Sequence, residues 1–575
     1  MRAEAVAGRH RDDAGAAVRP ARPWARYAIV AVAGTTIALP LAIIVYQSFL
    51  DAPFFQPTAH LSLEAWRFVF ADGDFHRSFR CTVLLAAGMA AIAVPCGAVL
   101  AFLVVRTDLP GRGWLEPAVL VPIFLSPVVL AFGYVVAVGP VGFFTLLMKQ
   151  IFGGAPWNLY SLASVTAIAG LTHIPHVYLY ASATLRSLGA DLEEAARAAG
   201  AKPARVAWTV SLPMVWPAIL SSGVLVFFLG FELFGLPLIL GDPEGILVLS
   251  TYLYKLTNRL GVPSYQLMAV VAVVIMAIAF PLVWLQRRLM GAAGRYVSMR
   301  GKGLQQRPLA LGPWRWVAFA GVLLWLVVTV VLPLSGTVLR SVVTTWGEGV
   351  RLGEVLTLDH FRELLDYPNL VRGIFNTLAI GVLGGALSVA CYAAVALASH
   401  RWQSKWAKAV DYLVMVPRGM PGLVAGLAFF WLFLFIKPLA PLRSTVFSVW
   451  LAYTVVWFAY GMRLISSALL QVGPELEEAG LTVGASPRQV VRSITLPLIR
   501  FGLLGSWLLI FLIFVREYST AVYLLGPGTE VIGSLIVSLW ATGAIDTVAA
   551  LAVVNVVLVG LGLAIALRLG VRLHE

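Results

Sequence analysis

Four charged residues stand where so apolar a chain should carry no charge. Glu232 in FELFGLPLILGDP, Arg516 and Glu517 in REYSTAVYLLGPG, and Arg418 beside Pro417 all lie in or next to long apolar runs. Ionisable groups in hydrocarbon are costly and usually face a cavity or a partner. These four could therefore line a route for a charged substrate, or pair to hold a helix bundle. His173 and His176 are three apart and could share a helix face. Two imidazoles without a third ligand make a poor metal site, so helix packing near Tyr178 is the expected role. Cys81, Cys96 and Cys391 lie in or beside apolar stretches, with neither a disulfide framework nor metal-ligand spacing. No G-x-x-x-x-G-K-[ST] phosphate loop occurs: Gly301-Lys302 is followed by Gly303 and lacks the upstream glycine. The sequence thus points to no catalytic residue, metal site or cofactor in the chain itself.

Two polar islands interrupt the apolar pattern, and they are copies. TLRSLGADLEEAARAAGAKPARVAWTVSLP (184–213) aligns without a gap with ALLQVGPELEEAGLTVGASPRQVVRSITLP (468–497) at an offset of 284, with 12 of 30 positions identical. Leu192, Ala195, Ala196 and Ala199 fall at i, i+3, i+4 and i+7, one face of a short helix, and Leu476, Ala479, Gly480 and Val483 repeat the pattern. Pro474 suits a first helical turn. Gly200 and Gly484 sit where a left-handed residue ends a helix. Ser486-Pro487-Arg488-Gln489 then reads as a capping box opening a second short helix, whereas Lys202-Pro203 keeps the proline and loses the serine. Each island therefore predicts helix, glycine turn, helix, with an acidic corner formed by Glu193 and Glu194 in one copy and Glu477 and Glu478 in the other.

Glu-Ala-Ala, a glycine six residues after the glutamate, then Leu-Pro resembles the cytoplasmic loop of bacterial ABC importer permeases. The second copy departs from the pattern, with Gly480 in place of the second alanine. In that family the loop is a coupling helix that docks into a groove of the ATP-hydrolysing subunit. The resemblance implies that Glu193, Glu194, Ala195, Gly200, Glu477, Glu478, Ala479 and Gly484 couple the chain to an ATPase dimer that holds ATP and Mg. It also implies a substrate-binding protein on the far side of the membrane.

The elements that must position these residues are membrane helices. Of 575 residues 60% are hydrophobic and 12% charged, with a mean hydropathy of +0.87. Many apolar runs exceed about 18 residues, the mark of a polytopic membrane protein. The net charge of +14 would suggest nucleic acid in a soluble chain; here lysine and arginine gathered in cytoplasmic loops explain it. Residues 1–26 hold six arginines and read as a cytoplasmic tail without a cleavable signal. Six spans follow, near 27–49, 82–105, 115–138, 159–184, 214–240 and 266–285. Residues 287–315, with seven basic groups and no acid, read as a cytoplasmic linker. Six more spans lie near 316–339, 377–399, 410–436, 448–470, 498–525 and 548–567. Arg106 and Arg401, Cys96 and Cys391, and Pro122 and Pro417 share an offset of 295. Pro122, Pro127, Pro417 and Pro421 should kink the third and ninth spans.

The expectation is an all-α protein of twelve spans in two parallel six-helix repeats, the fused MetI-like permease fold, with domains 27–286 and 316–575. The resemblance places it in the bacterial inner membrane with both termini cytoplasmic, working by alternating access. FELFGLPLILGDPEGILVLSTYLYKL looks most like ferric iron permeases; thiamine, aminophosphonate and polyamine importers are the alternatives within the class. A secondary transporter driven by protons or sodium would place acids mid-span but has no need of twin Glu-Ala loops. A membrane scaffold has no need of prolines and charges in matched spans.

Overall fold

Apolar runs of this length satisfy their backbone groups in lipid only as helices. The computed structural model describes residues 23–187, 195–196, 198–258, 264–293, 308–401 and 405–569, and the only β contacts among them are three isolated bridges. Among the described residues ten helices are long and apolar enough to cross a membrane, and two pairs bent by 102° and 61° at short breaks, each taken as one span, bring the number to twelve. Six precede the basic stretch and six follow it, as expected. Residues 1–22, residues 294–307 of the basic stretch, and Glu193 and Glu194 of the first island lie outside the described residues.

The first half comprises α1 (Pro23–Ser48), α2 (Gly73–Arg106), α3 (Arg112–Phe124), α4 (Pro127–Val138), α5 (Leu162–Ser187), α6 (Leu212–Glu232), α7 (Leu249–Asn258) and α8 (Tyr265–Ala293). The second comprises α9 (Trp314–Leu326), α10 (Leu332–Ser341), α11 (Pro368–Ala379), α12 (Gly385–Ser399), α13 (Lys405–Arg418), α14 (Gly422–Phe435), α15 (Val446–Val456), α16 (Phe458–Leu470), α17 (Pro474–Thr482), α18 (Pro487–Val490), α19 (Leu496–Arg516), α20 (Ile532–Thr542) and α21 (Ile545–Arg568). α9 and α10, and α11 and α12, are each joined through a π-helical turn into one span.

Proline sets the break in the third span. Pro127 has no N–H for the Ile123 carbonyl four residues back, and Ser126 before it is extended. The helix therefore stops at Phe124 and restarts at Pro127. The corresponding break between α13 and α14 carries Pro417 and Pro421. Two spans end earlier than their apolar runs suggest. The fifth stops at Glu232 rather than Leu240, and the eleventh at Arg516 rather than Leu525. Gly235 explains the first: its N–H donates to the Tyr518 hydroxyl at 2.8 Å, and a Cβ there would sit 2.8 Å from that oxygen. The run after Glu232 is thus spent on packing against the other half. A further helix, Phe143–Phe152, follows α4.

The halves interlock through their first spans. α1 packs on α12, α13 and α14, while α10 packs on α4. Close approach of α4 and α10 needs small residues. A Cβ on Gly133 would overlap the Pro333 carbonyl, and one on Gly336 would lie 2.8 Å from the Ala137 Cβ. Tyr134 then donates to the Val328 carbonyl at 2.8 Å.

Candidate functional site

The islands fold alike where both are described. Gly200 and Gly484 have φ of +83° and +87°, the left-handed conformation that glycine adopts without strain. Ala201 N–H donates to Ala196 O at 3.0 Å, and Ala485 N–H to Gly480 O at 3.1 Å, the same six-to-one closure of a helix end. Short helices Pro203–Val206 and α18 follow, then π turns Ala207–Ser211 and Val491–Thr495, then α6 and α19. The capping box at Ser486 forms: Gln489 N–H donates to Ser486 Oγ at 3.4 Å and Ser486 N–H to Gln489 Oε1 at 2.8 Å.

In the second island the two glutamates face opposite ways. Glu477 is buried; it accepts from Thr495 Oγ1 at 2.7 Å and lies 3.0 Å from Arg401 Nη1 and 3.4 Å from His400 Nε2. Arg401 also donates to the Val472 carbonyl. Glu477 therefore seats α17 on the end of α12. Glu478 is exposed. Beside it Leu476 and Val483 are 51% and 84% exposed, so an apolar stripe with an acid at its edge faces away from the bundle. Gly480 turns inward, where a Cβ would lie 2.7 Å from Ile494 Cδ1; that packing gives the departure from Glu-Ala-Ala its physical reason. In the first half Arg106 and Ser211 hold the positions of Arg401 and Thr495. Both are buried, and Arg106 donates to the Leu185 carbonyl at 2.8 Å. The matched offset of the two arginines was visible in the sequence; the role of Arg401 in seating the second island was not.

The intramembrane charges gather where the halves meet. Glu232 is the last residue of α6 and Arg516 the last of α19, so at the 284 offset an acid in one half corresponds to a base in the other. Arg516 Nη1 donates to the Ile123 carbonyl, the acceptor that Pro127 leaves open, and its guanidinium lies 5.8 Å from the Trp457 ring centroid. Arg418 holds the position of Ile123 at the 295 offset and is a charge neighbour of Glu232. Each half thus sends the end of its fifth span to the broken third span of the other. Arg418 and Arg463 are charge neighbours of Tyr180, whose hydroxyl accepts from Gln286 Nε2 at 3.3 Å. Glu517 turns away to a structural task, accepting from Trp457 Nε1 at 3.1 Å, Ser519 Oγ at 2.9 Å and Thr520 N–H at 3.2 Å. Arg463 and Tyr180 gave no sign in the sequence, because neither stands out of its run until the seam brings them to Arg418.

The His173 ring hydrogen-bonds the Ala169 carbonyl at 2.8 Å and stacks on His176 with centroids 5.1 Å apart. Among the described residues no three His, Cys, Asp or Glu side chains could share a metal ion. The three cysteines are free thiols.

Residues 93–291 and 367–574 each match the family described as the binding-protein-dependent transport system inner membrane component. The chain belongs to that family, with two copies of its domain. A putative ferric transport system permease protein of Haemophilus influenzae is 23% identical over 429 residues, 72% of this chain and 64% of the relative. A second Fe(3+)-transport system permease protein of that organism is 24% identical over 449 residues, 77% of this chain and 80% of the relative. A putrescine transport system permease protein of Escherichia coli is 30% identical over 129 residues, 22% of this chain and 46% of the relative. The chain spans less than two thirds of the length of the first of these, and of a ferric transport system permease protein of Actinobacillus pleuropneumoniae, of which it covers 59%. A crystal structure of a bacterial ABC transporter involved in the import of the acidic polysaccharide alginate is 22% identical, with a TM-score of 0.35, over 44% of this chain and 96% of that one.

Proposed function

We propose that this chain is the permease of an ATP-driven, binding-protein-dependent importer of ferric iron, lying in the inner membrane with both termini and both islands in the cytoplasm. The observation that carries the reading is the pair of islands. They close with the same glycine geometry and the same π turn. The second presents a bare apolar stripe edged by Glu478, the form of a helix that lies in a partner's groove. Two matching knobs fit a partner with two matching grooves, a homodimeric ATPase that holds ATP and Mg. The ferric names of the relatives support iron as cargo, and a substrate-binding protein on the opposite side delivers it.

The geometry suggests how the stroke travels. As nucleotide draws the ATPase subunits together, the islands approach each other. The Glu477 seat and the π turns pass that movement to α6 and α19. Their far ends, Glu232 and Arg516, are held at the seam by the opposite half. Parting the halves there opens the path to the far side, which is alternating access about an axis along the membrane normal.

The test is the double variant Glu194→Ala with Glu478→Ala, coexpressed with the ATPase. The protein should still insert in the membrane while losing most of the copurified ATPase and the uptake of iron. Undiminished association and uptake would overturn the reading. Uptake in vesicles with binding protein loaded with ferric iron, thiamine, an aminophosphonate or putrescine then decides the cargo.

A further inference from the structure

At the end of the molecule opposite the islands the first half carries a polar cavity of about 320 Å3, lined by Asp74, Arg77, Ser78, Asp242, Leu247 and Lys255. The duplication shows what belongs in it. Leu249 N–H donates to Thr82 Oγ1 at 2.8 Å, and Ile532 N–H to Thr377 Oγ1 at 2.9 Å. This shared bond fixes the register: Arg77 corresponds to Arg372, and Leu247 to Glu530. In the second half the place is filled from within. Glu530 accepts from Arg372 Nη2 at 2.7 Å and from Gly528 N–H at 2.8 Å. Leu247 and Glu530 are equally buried, 7% and 5% exposed, but leucine brings no carboxylate. Arg77 is left with no hydrogen-bond or ion-pair partner among the described residues. Ser78, 1% exposed, has an Oγ with none either.

We propose that this cavity is a socket for one carboxylate side chain of the substrate-binding protein, taken between Arg77 and Lys255 with Ser78 Oγ as a further donor. The proposal rests on the importer reading. Guanidinium groups accept carboxylates in a fixed fork geometry, and the other half uses a carboxylate from polypeptide at this very register. Asp74, 3.7 Å from Lys255, and Asp242 repel a multiply charged dissolved anion but tolerate a single carboxylate. A binding protein is one chain without a two-fold axis. It meets an open socket on one half and a self-filled one on the other, and so docks in a single orientation.

The experiment uses the full importer in nanodiscs with its loaded binding protein, stimulation being expressed against each variant's own unstimulated ATP hydrolysis. Leu247→Glu should reproduce the Glu530 arrangement, close the socket and cut stimulation about tenfold or more, as should Arg77→Ala. Leu247→Met, and Arg351→Glu elsewhere on the same end, should keep it. Zero-length carbodiimide coupling should join Lys255 to an aspartate or glutamate of the binding protein, read by peptide mass spectrometry. Full stimulation of Leu247→Glu and Arg77→Ala, or coupling of Lys255 to Asp74 alone, would overturn the socket. Loss of stimulation without any coupling to the binding protein would assign the cavity to a dissolved anion and equally overturn it. A wild-type assembly with no ATP hydrolysis would instead remove the importer reading, and the socket with it.

Discussion

The two ends of this molecule treat the duplication in opposite ways. At the island end the copies share glycine conformation, helix closure, π turn and an arginine at the matching position, buried as Arg106 and exposed as Arg401. At the opposite rim one copy fills its arginine site with Glu530 and the other leaves it open. The copies thus stay alike at one end and differ at the other. The seam between the ends is intermediate. Its positions correspond, but Glu232 answers Arg516 and Arg418 answers Ile123, so symmetry of place survives without symmetry of charge.

The contrast can be broken first at the seam. Arg516→Ala strands the Ile123 carbonyl and removes a base from the charge cluster. We expect a loss of about 3 kcal/mol or more, read as a fall in the unfolding midpoint of the purified protein. The corresponding change, Glu232→Ala, should cost less, because no orphaned backbone acceptor depends on it.

Next come the two glutamates of the second island. Glu477→Ala removes the partner of Arg401 and Thr495 and should destabilise by about 2 kcal/mol. Glu478→Ala should stay within about 0.5 kcal/mol while weakening ATPase association. Equal effects of the two variants on stability would mean that the seat and the knob are not separate. Gly484→Ala forces a left-handed alanine at a cost of about 1 to 2 kcal/mol. Ser486→Ala loses the capping box at about 1 kcal/mol. The first island has no such box to lose at Lys202, so Lys202→Ala should be nearly silent in the same thermal assay.

The smallest effect concerns protons. Burial pushes the Glu530 carboxyl up, but the Arg372 hydrogen bond and the backbone N–H donors outweigh it and hold the group below the usual carboxylate range. A lowered folded value means that the unfolded chain binds the proton first. The stabilisation is complete above the unfolded value and is lost as pH falls through the folded one. The stability gap between wild type and Glu530→Gln should therefore narrow on acidification. A gap independent of pH would show that the pair contributes shape rather than charge.

Much of this was legible because lipid leaves few choices. Long apolar runs had to be helices, and the islands announced their turns through Gly200, Gly484, Pro474 and Ser486, residues whose backbone needs are local. What could not be read depends on distant chain. Hydropathy carried the fifth span on to Leu240, since nothing local shows that Gly235 must meet Tyr518. Glu232 and Glu517 look like counterparts by type. The 284 offset of the islands already sets Arg516 opposite Glu232, but only the structure shows that Glu517 caps a turn. Glu477 and Glu478 are indistinguishable as neighbours in a list of letters, yet one residue of helical rotation, about 100°, sends one inward and the other out.

Pro127 leaves the first half with an open acceptor inside the hydrocarbon, and its donor is Arg516, some four hundred residues later. The bonding of the third span is therefore completed by a residue of the eleventh. A chain cut in the basic stretch would release a first half that is already threaded but not yet finished. Fusing the two repeats keeps the lender of that bond tied to its borrower from the moment of birth.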